Sequence, residues 1–562
     1  MKKILDITSN LNIPEEFVFQ YGPDKAKIDM KYYQEIENRP TGKVVLVTAI
    51  TPTKAGEGKT TTTIGLHDGL SRLGVNSIAC LREPSLGPVW GIKGGAVGAG
   101  KSTIVPSDDI NLHFTGDFHA LTSTINLISA IIENHIYHGN ELNIDPDKIV
   151  WTRALDINDR SLRSIKLNAV GAPEGVSKEC LDREPKNSYT KKQALRLYEH
   201  GSEFVITVAS ELMTILTISQ SEQEFMDRVN NIIVAYTYEN RPVYFGEFNC
   251  SKAILKMMKN AMNPNLVQTL EENPVLVHCG PFANISIGVN SINATKLAMK
   301  LAPVVVTEAG FGADLGAEKF LDIKCQLADI APSIIVLVAT ARALKLHGGV
   351  KFDDLANENV EAMLAGICNL QQHAENMKKY GVPVVITANR FPSDTDAEIN
   401  ALRVWCEDNG YEFALNEGAI KGSEGAVELA EKVNYFLGQE TEQNFKPLYS
   451  IEKNNSWTIK DKIKKICTEI YRASDVEYSE YAEKQIAQYE EMGYSGLPIC
   501  ISKTPNSFTD DATILGAPRN FAIHIREVRL YAGAGLIVPL SGDLLLMPGL
   551  PKKPRCMDEF ND

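Results

Sequence analysis

The chain has 562 residues, of which 44% are hydrophobic and 23% are charged, a balance typical of a globular protein with more than one hydrophobic core. At roughly 150 residues per domain, this length predicts three or four structural units and excludes a lone binding module. The formal net charge of -14 disfavours nucleic acid and anionic membranes as partners.

The cysteines and the N-terminal residues indicate the compartment. No two of the ten cysteines have the CxxC spacing of zinc ribbons or thioredoxin-type dithiols. Residues 1–6 contain charges before an apolar region of signal-peptide length could develop, and no run of about 18 apolar residues follows. These features predict a reduced, cytoplasmic protein.

The first regular pattern along the chain is a strand, a loop and a helix. Residues 44–50 form a β-branched run, and residues 59–73 have apolar side chains at helical spacing. A second strand is predicted over residues 75–81, which completes a βαβ unit. Further apolar runs occur at 304–306, 334–338 and 382–387. This alternation predicts an α/β fold with a largely parallel sheet of the P-loop nucleotide-binding type and additional smaller α/β domains.

Two polar stretches interrupt the apolar pattern. Residues 172–202 read as a surface insertion with a short exposed helix over residues 191–197, and residues 437–460 read as a domain boundary. Three units are predicted from these stretches. They are a nucleotide-binding α/β domain (1–350), a second α/β domain (351–440) and a smaller C-terminal domain (441–562).

Two segments compete as the phosphate-binding loop, whose consensus is GxxxxGK[ST]. Residues 95–102 match every letter, but no strand precedes them and no clear helix follows, so we predict a glycine-rich turn there. Residues 53–60 lack the first glycine, yet they join the predicted strand to the predicted helix, where backbone amides and a helix N-terminus can surround phosphate. We predict that ATP is bound by Thr53, Lys54, Ala55, Gly56, Glu57, Gly58, Lys59, Thr60 and Thr61.

Several motifs together resemble the formate-tetrahydrofolate ligase family, and the resemblance spans nearly the whole chain. The motifs are TPTKAGEGKT (51–60), REPSLGP (82–88), DINLHFTGD (109–117), PNLVQTLE (264–271), TEAGFGADLG (307–316), NRFP (389–392) and MPGLP (547–551). The resemblance implies a monofunctional enzyme of one-carbon metabolism. It would use ATP to phosphorylate formate and pass the formyl group from formyl phosphate to an amine of tetrahydrofolate.

The resemblance also implies roles for particular residues. Lys59 and Arg82 would contact the transferred phosphoryl and formyl groups, and Asp117 would accept the proton of the attacking amine. Thr60 and Glu83 would help to hold Mg²⁺. The family is typically homotetrameric and stimulated by monovalent cations, so both properties are expected here.

The folate pocket departs from the family pattern. Phe311, Phe391 and Pro392 match residues that line the pterin in the family, but Ala419 stands where the family has a tryptophan. Ile287 and the pair Pro505-Asn506 replace the usual His and Gln-Tyr. The loss of one stacked aromatic predicts weaker folate binding, by roughly 0.5–1.5 kcal/mol beyond lost area.

Two other functions stay open at this point. One is a formate-activating ligase whose acceptor is a different amine, which Ala419, Ile287 and residues 505–506 would explain. The other is a P-loop switch ATPase, because Gly-Glu-Gly-Lys-Thr-Thr also resembles partitioning ATPases. The tetrahydrofolate dependence of ADP release separates the first from the ligase, and stimulation by formate separates the second.

Overall fold

The computed structural model of the chain describes residues 1–91, 95–168, 199–282, 285, 287–439, 444–451, 456–542 and 545–557. Its β-strands are β1 (Val18–Gln20), β2 (Ala26–Ile28), β3 (Lys43–Ala49), β4 (Ser77–Leu81), β5 (Gly98–Ala99), β6 (Ser102–Val105), β7 (Ile144–Ile149), β8 (Arg153–Leu155), β9 (Ile165–Asn168), β10 (Glu199–Ser202), β11 (Phe204–Ile206), β12 (Ile233–Thr237), β13 (Pro242–Tyr244), β14 (Asn265–Thr269), β15 (Pro274–Val277), β16 (Val304–Glu308), β17 (Pro332–Ala339), β18 (Val384–Asn389), β19 (Glu412–Asn416), β20 (Asp475–Tyr478), β21 (Ala522–Ile525), β22 (Glu527–Tyr531) and β23 (Leu536–Leu540).

The α-helices are distributed along the whole described chain. They are α1 (Ile4–Asn10), α2 (Lys31–Ile36), α3 (Lys59–Arg72), α4 (Leu86–Trp90), α5 (Ser107–Asn111), α6 (Asp117–Tyr137), α7 (Glu211–Ile218), α8 (Glu222–Asn230), α9 (Ser251–Met258), α10 (Ile292–Leu301), α11 (Cys325–Ala328), α12 (Ala341–His347), α13 (Val360–Lys378), α14 (Asp396–Asp408), α15 (Gly418–Lys421), α16 (Val427–Leu437), α17 (Ile459–Glu469) and α18 (Glu480–Glu491). Among the described residues, none of these helices combines the length and the apolar character that a membrane span requires.

A 12-stranded sheet forms the centre of the fold, in the order β1-β2-β14-β15-β4-β16-β3-β17-β18-β19, with β5 and β6 attached beside β14. Every neighbouring pair from β15 to β19 is parallel. The other edge is antiparallel, because β14 runs antiparallel to both β15 and β2. The predicted α/β class and its largely parallel sheet are therefore confirmed.

The parallel strands are buried because helices cover both faces of the sheet. Val45 and Val47 of β3 belong to the same apolar cluster as Leu66 and Leu70 of α3. The alternate residues, such as Leu46, belong to the larger core on the other face. Parallel strands covered on both sides are expected to be continuous apolar runs, and this is the pattern that the sequence shows.

The predicted βαβ unit has the expected elements but not the expected neighbours. Strand β3, helix α3 and strand β4 agree with the predicted positions to within about two residues. However, β16 lies between β3 and β4 in the sheet and is parallel to both. Hydrophobic periodicity indicates whether a strand is buried, but it carries no information about a partner strand more than 200 residues away. The position of β16 between β3 and β4 was therefore not predictable.

The strands of the three predicted domains belong to the central sheet and to smaller sheets. Strands β18 and β19, from the predicted second unit, extend the same central sheet, so the division at residue 350 stays a prediction. The C-terminal part forms two small two-stranded sheets, β20-β21 and β22-β23. The last four residues of the predicted insertion, 199–202, form β10, which pairs antiparallel with β9. Residues 172–198, including the helix predicted over 191–197, lie outside the described residues.

Candidate active site

The carboxyl ends of neighbouring parallel strands bring distant parts of the sequence to one edge of the sheet. Strands β4, β16, β3, β17 and β18 lie side by side there, and the loops after them carry most of the motifs noted in the sequence. Ligands of open α/β sheets bind in crevices at this edge. The site is therefore built from segments that leave these strands.

The loop between β3 and α3 (residues 51–58, the β3–α3 loop) contains two glycines with positive φ, Gly56 at 77° and Gly58 at 73°. A Cβ atom on Gly58 would collide with Nδ2 of Asn389, so both the backbone angle and the close approach require glycine. The same Nδ2 donates a hydrogen bond to the Glu57 carbonyl oxygen at 3.1 Å. Helix α3 begins directly after the loop and directs its first amides outward, an arrangement that binds phosphate.

The buried Glu57 side chain holds the β3–α3 loop in place. Its carboxylate accepts hydrogen bonds from the backbone N–H of Thr53, at 2.6 Å, and from the Thr340 hydroxyl, and it lies 3.7 Å from Arg342 Nε. Arg342 also donates to a carbonyl oxygen of the loop, and its guanidinium carbon lies 3.8 Å from the centroid of the Phe391 ring. Side chains from two other parts of the sheet edge, the segments at the ends of β17 and β18, therefore fix the loop before any ligand binds.

Two cations and one carboxylate meet where β3, β4 and β16 end. Arg82 Nη2 lies 3.6 Å from Glu308 Oε1, and the Thr60 hydroxyl donates to Glu308 Oε2 at 2.7 Å. Loss of hydration lowers the pKa of Lys59, while the negative charge of Glu308 opposes this shift. A cation that has already lost water is well placed to bind an anion, because little further desolvation is needed.

A cavity of about 50 Å³ opens beside Arg82. Its lining residues are Arg82, Glu83, Pro84, Ser85, Pro88, Ala96, Val208, Gly280 and Phe282. The share of liquid volume occupied by one water is about 30 Å³, so the cavity admits only a molecule of a few atoms. Arg82 Nε is buried and has no hydrogen-bond partner among the residues that the structure describes. A small carboxylate would satisfy both the volume and the unpartnered donor.

A second group of buried ionisable side chains involves Glu83 and Asp117. Both carboxylate oxygens of Asp117 lie 2.8 Å from Lys27 Nζ, and Asn265 Nδ2 donates to Asp117 Oδ2 at 2.9 Å. Burial, together with the negative charge of Asp117, raises the pKa of Glu83 well above its ordinary value. Burial also lowers the pKa of His278 to about 4. The group therefore contains a buried ion pair between Lys27 and Asp117, beside a carboxyl and an imidazole whose charged forms are disfavoured by burial.

A comparison with protein families identifies the family of the chain. The sequence profile of formate-tetrahydrofolate ligase matches residues 1–183 and 186–559. The chain belongs to the formate-tetrahydrofolate ligase family. These ATP-dependent enzymes of one-carbon metabolism join formate to tetrahydrofolate, so the protein is a ligase whose substrates are formate, ATP and a folate.

The predicted catalytic residues of the ligase fall into two places. Lys59, Thr60 and Arg82 lie together at the sheet edge, near Glu308. Asp117 is 5% exposed and, with Glu83, belongs to the ion-pair group around Lys27. Arg82 and Glu83 are adjacent in the chain, but their side chains contact different groups. Arg82 pairs with Glu308, whereas Glu83 interacts with Asp117.

The predicted folate-binding aromatics contact other groups of the site. Phe391 is half-buried near the β3–α3 loop with Arg342 over its ring, and Pro392 is exposed. Phe311 has a positive φ of 58°, and its ring centroid lies 5.6 Å from that of Phe282, which also lines the small cavity. Phe391 therefore lies beside the β3–α3 loop, and Phe311 packs against a residue that lines the small cavity.

The fourth predicted pocket residue, Ala419, packs against the segment that matched the phosphate-loop consensus. Residues 95–102 lead into a tight antiparallel hairpin formed by β5 and β6. A Cβ atom on Gly98 would collide with the Ser102 carbonyl oxygen, and one on Gly100 would collide with that of Ala419. The segment is the glycine-rich turn that we predicted, since its glycines permit close backbone contact.

Sequence reasoning missed four residues of the site, Glu308, Thr340, Arg342 and Lys27. Glu308 lies two residues after the predicted run 304–306, and the next two residues follow the predicted run 334–338, so their positions after predicted strands were an available signal. Lys27 gave no signal, because β2 has only three residues and no alternation that predicts an inward lysine.

Proposed function

We propose that the ligase forms formyl phosphate from ATP and formate and then transfers the formyl group to N10 of tetrahydrofolate, releasing phosphate. The position of Arg82 carries this proposal. Its guanidinium pairs with Glu308 beside Thr60 and also lines the cavity of about 50 Å³. One side chain can therefore contact the phosphoryl group and the formate together.

In the first step, a formate oxygen attacks the γ-phosphorus of ATP, and the bond to the ADP oxygen breaks. Both reactants are anions, so the protein must reduce their repulsion and align them. Lys59, the amides at the start of α3 and Arg82 supply positive charge around the transferred group. Their positions are fixed in advance by the contacts of Glu57 and Glu308.

In the second step, the tetrahydrofolate amine attacks the formyl carbon, the carbon–oxygen bond to phosphate breaks, and the amine loses its proton. Arg82 would stabilise the phosphate that leaves. Asp117 stays our proposed proton acceptor, although both of its oxygens are bonded to Lys27. It would act by releasing one of these bonds, so an Asp117→Asn variant should lose formyl transfer while retaining formation of formyl phosphate.

Magnesium fits the oxygen atoms of Thr60 and Glu308. A hydroxyl and a carboxylate at the phosphate end of the loop match the preference of Mg²⁺ for few protein ligands plus substrate phosphates. Glu83, the other predicted ligand, interacts with Asp117 and Lys27 in the second group of buried side chains. Within the described ranges, no three or more His, Cys, Asp or Glu side chains form a metal site. Mg²⁺ would therefore arrive with ATP and neutralise phosphate charge.

We propose tetrahydrofolate as the acceptor, with a different amine as the second candidate. Phe311 and Phe391 border the site and offer apolar faces to a ring. Ala419 offers none, and it is this position that favours the second candidate. Ile287 is fully buried, so it acts on the pocket through packing and not by hydrogen bonding.

The central experiment measures ADP release with ATP, formate and tetrahydrofolate, omitting each in turn. Full dependence on both formate and tetrahydrofolate supports the ligase. ADP release that needs formate but ignores tetrahydrofolate indicates another amine, and release that ignores formate indicates a switch ATPase. With oxygen-18 formate, label in the released phosphate shows that formate oxygen attacked phosphorus; unlabelled phosphate rules out formyl phosphate.

The matched pair Lys59→Ala and Lys101→Ala tests the choice of loop. Lys59 lies at the site, whereas Lys101 is exposed on the β5–β6 hairpin and uses only its backbone N–H to contact Ala419. ADP release should be abolished by Lys59→Ala and stay within a fewfold for Lys101→Ala. Equal losses in two folded variants would contradict the assignment.

We also propose a homotetramer, for which the resemblance is the support. Light scattering of the purified chain gives the mass directly. A tetramer is expected, and a stable monomer with full activity would contradict it.

A further inference from the structure

The cavity of about 50 Å³ beside Arg82 is lined partly by polar and partly by apolar side chains. Its polar side chains belong to Arg82, Glu83 and Ser85. Its apolar side chains include those of Ala96, Val208 and Phe282. A carboxylate that binds Arg82 inside this cavity must therefore place its remaining substituent against apolar atoms. For formate, that substituent is a single hydrogen.

Arg82 is the polar side chain of the lining that has capacity for an anion. Its Nε is buried and has no hydrogen-bond partner among the residues that the structure describes. The Ser85 hydroxyl already donates to Asp156 Oδ1 at 2.6 Å. Burial raises the pKa of Glu83 well above its ordinary value, which disfavours a second anion in the lining. The carboxylate end of a bound ligand is therefore directed to Arg82.

The apolar part of the lining is held by contacts that leave little freedom to expand. The backbone N–H of Phe282 donates to the Val208 carbonyl oxygen at 2.9 Å, and Val208 is 1% exposed. The Phe282 ring packs on Phe311, with 5.6 Å between the ring centroids. An added Cβ atom on Gly280 would lie 2.5 Å from the Glu83 carbonyl oxygen. Close packing of this kind makes the size of the cavity a property of its side chains.

We propose that Val208, together with Phe282, determines the specificity of the ligase by admitting formate and excluding carboxylates that carry a methyl group. This role rests on the proposed function, in which formate binds at Arg82 before it attacks ATP. Acetate has the same charge and the same carboxylate oxygens as formate, so Arg82 cannot distinguish the two anions. The apolar lining can, because a methyl group would have to displace Val208 or Phe282.

Competition between acetate and formate tests the proposal, because inhibition does not require acetate to react. ADP release by the full chain is measured with ATP, tetrahydrofolate and varied potassium formate at several concentrations of potassium acetate, and potassium chloride keeps the ionic strength constant. In the wild type, the inhibition constant of acetate should exceed the KM of formate by about tenfold or more. Acetate that binds as tightly as formate would overturn the proposal. ADP release that ignores formate would instead contradict the proposed function, and the specificity role would fall with it.

Val208→Ala removes two methyl groups from the lining and should lower the inhibition constant of acetate by about tenfold or more. The KM of ATP should not change. Val205→Ala is the matched control, since Val205 is also buried, at 3% exposed, but does not line the cavity. An inhibition constant that is the same in Val208→Ala and in the wild type would overturn the proposal.

Val208→Ile makes the opposite change and also covers the case in which Val208→Ala does not fold. Its added methylene narrows the cavity, so the KM of formate should rise several-fold while the KM of ATP stays the same. Melting temperatures identify which variants are folded. A folded Val208→Ile with the wild-type KM for formate would overturn the proposal, because the side chain at position 208 would then not limit the space for the carboxylate.

Discussion

Arg82 contributes geometry as well as charge to the proposed active site. It pairs with Glu308, and its guanidinium packs so closely on Gly310 that an added Cβ atom would lie 2.8 Å from Nη1. A guanidinium is planar and can hold two oxygens of one anion or of two anions at fixed spacing, whereas an ammonium is a single point charge. The role proposed for Arg82 depends on this difference.

Arg82→Lys should lower formate-dependent ADP release by about tenfold or more, because one ammonium cannot hold phosphate and carboxylate oxygens together. The rate at saturating ATP and formate is the measurement. Arg403→Lys is the control, since Arg403 also forms two bonds to a carboxylate, Glu428, but lies away from the site. Near-normal turnover of Arg82→Lys would place Arg82 outside the reaction.

Ala419→Trp should tighten tetrahydrofolate binding by roughly 0.5–1.5 kcal/mol, up to about tenfold in Kd, because an aromatic face is restored. Ala419 is half-buried and holds its hairpin neighbour through the backbone carbonyl, which the substitution keeps. Titration of tetrahydrofolate into both proteins gives the two constants, and the ATP and formate constants should not change. Weaker binding with a lower melting temperature would show that the pocket is filled by other side chains.

The conformation of the β3–α3 loop depends on the absence of a Cβ atom at Gly58. Gly58 and Gly74 have nearly equal φ values, 73° and 78°. A Cβ atom on Gly58 would collide with Asn389, whereas one on Gly74 would meet nothing within 4 Å. Substitution of Gly58 and of Gly74 therefore separates the effect of backbone strain from the effect of steric crowding.

Gly74→Ala should cost only the strain of a left-handed residue, about 1–2 kcal/mol, and leave turnover unchanged. Gly58→Ala carries the same strain and must also displace Asn389, so ADP release should fall by at least about tenfold. Melting temperatures and turnover of both variants are the measurements. Equal turnover in the two would mean that the loop adapts and that its shape does not control catalysis.

The elements themselves could largely be predicted, whereas their assembly could not. Strands β3 and β4 and helix α3 follow from β-branched runs and helical spacing, which are local properties of the chain. The contact of Thr60 with Glu308 joins residues 248 positions apart, and no local pattern encodes it. The β3–α3 loop could thus be predicted from the sequence, but the contact of Thr60 with Glu308 and the ion pair of Lys27 with Asp117 required the sheet order.

Contacts between the two halves of the chain link stability to pH. Glu211 begins α7, and its buried carboxyl accepts the backbone N–H of Ala534 at 3.0 Å. Burial raises its pKa from 4.5 to about 7. The folded protein therefore binds this proton more tightly than the unfolded chain does. The stabilisation is complete below the unfolded pKa and is lost as pH rises through about 7.

Glu211→Gln should remove this pH dependence, because an amide stays neutral and its oxygen can still accept the Ala534 N–H. Relative to the wild type, the variant should gain about 2–3 kcal/mol between about pH 5 and pH 8. Melting temperatures of both proteins at the two pH values check the direction. A constant difference between them would show that Glu211 is charged throughout.

The position of β16 between β3 and β4 has a consequence for synthesis of the chain. Ribosomes add about 5–20 residues per second, so the 248 positions between Thr60 and Glu308 correspond to a delay on the order of ten to fifty seconds. During this delay β3 and β4 have no strand between them, and their backbone edges and apolar faces are open to other nascent chains. Nascent chains that end before β16 should therefore recruit chaperones or aggregate, and those that extend beyond β19 should not.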